Sequence, residues 1–164
     1  MIRRVSRSAR SSAAGFLCCV FAGLAPAAAW AADQCTGDGP RLNVVVDGLH
    51  SSRGDVVVEI YPDDSKRFLA HQAQVNSIHV KLDRLPPTVC LNVPAPGYYA
   101  MAVFHDENGD RKFNRNALGL PSEGFGLSND PAILFGLPSF RAVRFQVGPG
   151  DNTVHVKVHY PGGK

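Results

Sequence analysis

The sequence predicts an all-β sandwich of about seven to eight short strands, interrupted by one long ordered loop excursion over residues 106–138. Three observations predict it. Apolar residues recur at every second position in segment after segment, which is the period of a half-buried strand. Gly, Pro, Asp and Asn punctuate the gaps between those segments. No segment carries the 3.6-residue period of a long amphipathic helix.

The elements follow in chain order. Leu42, Val44 and Val46 alternate with Arg41, Asn43 and Val45. Val56, Val58 and Ile60 come next, after the turn-like run Ser51-Ser52-Arg53-Gly54. Ile78, Val80 and Leu82 alternate with His79 and Lys81, and Val89, Leu91 and Val93 with Cys90 and Asn92. Tyr98 to Phe104 is apolar throughout, as a central strand covered on both faces should be. Val143, Phe145 and Val147 alternate with Arg144 and Gln146; Val154, Val156 and Val158 alternate with His155, Lys157 and His159. An extra strand is expected at Lys66 to Gln72. The turn Gly148-Pro149-Gly150-Asp151-Asn152 is expected to pair the last two strands as a hairpin. Seven such strands in about 130 residues suit an immunoglobulin-like or transthyretin-like sandwich, with a small barrel as the alternative.

From Asp106 to Pro138 neither period appears. A loop that long is functional or disordered as a rule. Phe113, Leu118, Leu120, Phe125, Leu127, Ile133, Leu134 and Phe135 are too apolar for a solvated tail, so an ordered, self-packed excursion is expected. Gly-Leu-Pro-Ser at 119–122 and again at 136–139 reads as two similar turns.

Residues 1–31 have the layout of a signal peptide. Arg3, Arg4, Arg7 and Arg10 precede an apolar run from Ala13 to Ala25, Pro26 breaks it, and Ala29-Trp30-Ala31 fits the small-x-small cleavage rule. The rival is a retained anchor over Ala13 to Ala32, about long enough to span a bilayer. Cleavage leaves one β-sandwich domain over 32–164 and no membrane attachment. It also removes four arginines, so 13 basic residues face 14 acidic ones and the formal charge passes from +3 to −1. No basic stripe remains to suggest nucleic acid. Cys18 and Cys19 leave as well. Cys35 and Cys90 remain, and an exported pair is expected to form a disulfide.

Within GYYAMAVFHDENGDRKFNRNALGLPSEGFGLSND stand Gly97, Tyr99, Ala100, His105, Asp106, Asn108, Asn116, Gly119, Pro121, Glu123, Gly124, Gly126, Ser128 and Asn129, with Pro138-Ser139-Phe140 later. This pattern resembles an uncharacterised bacterial secreted-protein family, domain of unknown function family 2141. The resemblance implies a small β-sandwich exported by Gram-negative bacteria, periplasmic or secreted. It implies no activity.

Asp106, Asn108 and Asp110 place oxygen-bearing side chains at alternate positions, the spacing of a calcium loop. Lys112 would add its backbone carbonyl, Asn114 stands at the ninth position, and Glu123 is the nearest remote carboxylate. Arg111 stands where such a loop wants Gly, and Ala117 where a bidentate Glu belongs. The other reading of the cluster is Asx-type turns, with Asp106, Asn108 and Asn116 capping the loop's own backbone.

His155 and His159 share one face of the last strand about 13 Å apart, too far for one metal. His50, His71 and His79 form no ligand spacing, and Ser122 and Ser128 lack a nucleophile elbow. Two functions follow as expectations. One is a non-enzymatic binding module whose excursion takes a small ligand, surface polymer or protein, with calcium as the only candidate cofactor. The alternative is a small hydrolase or isomerase built on His105 and Glu123.

Overall fold

In the computed structural model the described residues are 35, 37–133 and 136–162. The signal segment 1–31 and its cleavage site, and Leu134 and Phe135 of the excursion, lie outside them.

The chain is a β-sandwich. Its elements are β1 (Arg41–Asp47), β2 (Asp55–Pro62), β3 (Asn76–Lys81), β4 (Thr88–Asn92), β5 (Gly97–Asp106), β6 (Gly124–Leu127), α1 (Phe140–Val143), β7 (Arg144–Val147) and β8 (Asp151–Lys157). One sheet has the order β4-β1-β8. The other runs β3-β2-β5, with β6 and β7 sharing the far edge of β5. There β7 pairs with Gly97 to Ala100, and β6 with Ala102 to His105.

Alternation sets the core. Leu42, Val44 and Val46 of β1 are fully buried and pack with Val56, Val58 and Ile60 of β2 and Tyr99, Met101 and Val103 of β5. Each such Val or Leu contributes about 1.5–3 kcal/mol of apolar burial. β5 is covered on its other face too, as its uninterrupted apolar run requires. Ala100 and Ala102 belong to a second cluster with Tyr61, Leu127 and Val143.

Three expectations are corrected. Lys66 to Gln72 is a series of turns, with Leu69 and Gln72 at positive φ. Its apolar content covers the outer face of the five-stranded sheet: the Phe68 ring meets Tyr61 edge-on at 5.5 Å and Phe140 at 5.8 Å. The last two strands do not form a hairpin. β7 joins β5, whereas β8 runs parallel to β1 from Arg41↔Asp151 to Asp47↔Lys157. The Gly-Pro-Gly turn therefore carries the chain from one sheet to the other. Phe145 and Val147 then meet Val156 and Val158 through the core instead of side by side. The excursion, finally, contains the strand β6. Its sequence GFGL hides the strand period because two of its four residues are glycines.

Cys35 and Cys90 are joined by a disulfide, with Cα atoms 5.2 Å apart, tying the segment before β1 to β4. Among the described residues no helix is long and apolar enough to cross a membrane.

Candidate functional site

Alternation along β5 sends consecutive side chains to opposite faces. His105 continues the inward row of Tyr99, Met101 and Val103; Asp106 continues the outward row of Ala100 and Ala102. Both are fully buried, and two different polar neighbourhoods grow from this one strand end.

On the outward side the chain turns sharply around the Asp106 carboxylate. Its Oδ1 accepts the backbone N–H groups of Gly109 (2.8 Å) and Asp110 (3.2 Å), and its Oδ2 that of Arg111 (2.7 Å). The Asn108 Oδ1 accepts from Asp110 N at 3.1 Å, and the Asp110 Oδ1 from Lys112 N at 2.9 Å. Asn116 Oδ1 caps Leu118 and Leu120. These are Asx-type caps for N–H groups that no neighbouring strand reaches. Arg111, where a calcium loop wants Gly, takes the left-handed backbone that Gly would supply, at φ +61°.

Glu123 comes back to this turn. Its Oε2 accepts from Asn114 N at 2.9 Å. The Asn114 side-chain amide then spans two carboxylates, 3.0 Å from Asp110 Oδ2 and 3.3 Å from Glu123 Oε1. Burial pushes the Glu123 carboxyl above its ordinary range, and the charges of Asp106 and Asp110 add to the push. Asp110 is held below its ordinary value, first by the Asn114 amide. The fold thus brings together Asp106, Asn108, Asp110, Lys112 and Glu123 in one turn.

It does not bring Glu123 to His105. The His105 ring ends on the Tyr160 hydroxyl (Nδ1, 2.5 Å) and the Arg53 carbonyl (Nε2, 2.8 Å). His50, given no partner by sequence spacing, stacks on Tyr160 with centroids 3.8 Å apart and places Nε2 3.1 Å from Glu107 Oε1. That carboxylate oxygen also accepts from Ser51 Oγ at 2.7 Å and Arg53 at 3.2 Å. These donors pull the Glu107 carboxyl down to about 2, Ser51 most of all. More than fifty residues separate His50 and Ser51 from their partners, so only the fold could show this cluster. His155 and His159 pair with Asp47 and Asp130 on the exposed face.

Above the outer face of the five-stranded sheet lies a cavity of about 580 Å³. Ala102, Phe104 and Leu127 form its floor, and Phe113, Leu120 and Leu137 of the excursion line it from outside. The rings of Phe104, Phe113 and Phe125 interlock at centroid distances of 5.4 and 5.7 Å. Leu120 and Leu137 remain 57% and 64% exposed, so the apolar lining continues out to the surface. Ser128 and Asn129 anchor the far end of the excursion. The buried Ser128 hydroxyl accepts from Met101 N and donates to the Val143 carbonyl, and the Asn129 amide donates to the Ala142 and Arg144 carbonyls.

A family model described as an uncharacterized protein conserved in bacteria (DUF2141) matches residues 44–155. No curated protein and no solved structure matches the chain.

Proposed function

Because the chain belongs to this uncharacterised bacterial family, whose description names no activity, we propose from the geometry that it is an exported, non-enzymatic binding module. Its ligand is a small, largely apolar molecule held between the five-stranded sheet and the excursion. The cavity carries this reading. Its volume falls within the few hundred to about 1,000 Å³ of small-molecule sites, and its walls are mostly apolar. Leu120 and Leu137 extend its apolar lining to the surface, where an apolar patch marks an interaction site.

Calcium, in this reading, stabilises the root of the excursion. Asp106, Asn108, Asp110, the Lys112 carbonyl and Glu123 would be its ligands, and rotation of the Asn114 amide would offer a further oxygen. The raised Glu123 carboxyl beside two other carboxylates supports it, since a cation would relieve that crowding. The enzymatic reading draws no support from the geometry, because His105 and Glu123 serve separate neighbourhoods.

The test is titration with a fluorescent apolar probe. One saturable site per chain is expected, weakened by Leu120→Asp and Leu137→Asp, which change exposed positions and spare the core. Absence of saturation, or binding indifferent to both substitutions, would overturn the proposal.

A further inference from the structure

The inward neighbourhood at the end of β5 has no part in the cavity. We propose that His50, His105 and Glu107 form a binding site for a divalent d-block cation of the zinc type. One ligand atom from each lies within 4.8 Å of the other two. Two imidazole nitrogens and a carboxylate oxygen are a donor set for zinc, with a further position left open.

The tautomer of His105 supports it. The Arg53 carbonyl can only accept, so His105 Nε2 carries the proton and Nδ1 is the bare nitrogen. A backbone carbonyl on one ring nitrogen is the arrangement that orients a metal-binding histidine. At present Nδ1 accepts from the Tyr160 hydroxyl, and the cation must displace that oxygen, at a cost in affinity. The Ser51 and Arg53 donors to Glu107 both meet Oε1, so Oε2 can face the cation without disturbing them, while His50 Nε2 would exchange its contact with Oε1 for the cation. His50 lies on the β1–β2 loop with 38% of its side chain exposed, which supplies both an entry path and room to close the remaining distance. Arg53 opposes binding, because its guanidinium also lies near Glu107; affinity should therefore be moderate.

The experiment is isothermal titration of the full chain with zinc, in about 10 mM calcium so that a calcium loop of the extracellular affinity class is already occupied. Visible absorption with cobalt(II) reports the ligand field. The expected result is one zinc per chain and cobalt d–d bands of a four- or five-coordinate site. His50→Ala and Glu107→Gln should each weaken binding by more than the roughly 10–100-fold that losing an outer-shell partner costs. His155→Ala, on the exposed face of β8, should leave it unchanged. Metal-free melting curves of each variant check the fold. No stoichiometric zinc, or wild-type affinity in both His50→Ala and Glu107→Gln, would show a hydrogen-bond network only and overturn the proposal. Loss of binding in His155→Ala would place the metal elsewhere and overturn it equally.

Discussion

Gly124 lies against the face of Tyr160: a Cβ added at 124 would stand 2.4 Å from a ring carbon. The ring has little freedom to retreat, since it stacks on His50 and its hydroxyl binds His105. Gly124→Ala should therefore destabilise the fold by about 1–3 kcal/mol, the usual cost of overpacking. Thermal melts check it. In a Tyr160→Ala background Gly124→Ala should cost much less, because the two substitutions share one contact.

Ser128→Ala should also be costly. The hydroxyl receives the Met101 N–H at 3.0 Å and donates to the Val143 carbonyl. Its removal leaves buried backbone groups without that partner, at about 1–3 kcal/mol. A denaturant midpoint shifted at unchanged slope would show it, and a shift within error would contradict it.

Reduction of Cys35–Cys90 should cost about 4 kcal/mol, the chain-entropy value for a loop whose ends are 55 residues apart. Equilibrium unfolding with and without reductant measures this. Alkylation of both thiols in unreduced protein would show that the bond does not form.

Calcium should bind with a dissociation constant of about 10⁻⁴ to 10⁻³ M, as in extracellular modules. At tenfold excess it should add about 1.4 kcal/mol. Asp110→Ala should abolish the gain, and a shift surviving that substitution would move the ion elsewhere.

Glu123 adds a pH signature in calcium-free buffer. Its carboxyl is raised above its ordinary 4.5, so the folded state holds that proton more tightly than the unfolded one. The associated stability is complete below about pH 4.5 and is lost as pH rises through the folded value. Glu123→Gln should flatten this part of the profile, and calcium, replacing the proton, should mask it. Identical pH profiles for wild type and Glu123→Gln would refute the assignment.

The sandwich was legible where one face of a strand meets the core and the other meets water, as at Leu42, Val44 and Val46. It was legible again in β5, whose two covered faces leave no polar positions. β6 was not, because Gly124 and Gly126 answer to the close approach of Tyr160 and the Lys157 carbonyl rather than to a period. The hairpin reading failed because a turn fixes a change of direction, and burial decides which sheet receives the next strand. Of the two polar neighbourhoods, the Asp106 turn was visible because its members lie within eighteen residues. The His50, His105, Glu107 and Tyr160 cluster depends on three distant segments that alternation alone does not bring together.

The parallel pairing of β1 with β8 sets the timing of folding during synthesis. The first strand made waits for the last one as its neighbour, so the three-stranded sheet cannot be completed until residues 151–157 have left the ribosome. Contacts between such distant segments form slowly. Until then β1 has β4 beside it on one edge and no strand on the other. This topology withholds closure of the three-stranded sheet until residues 151–157 are available.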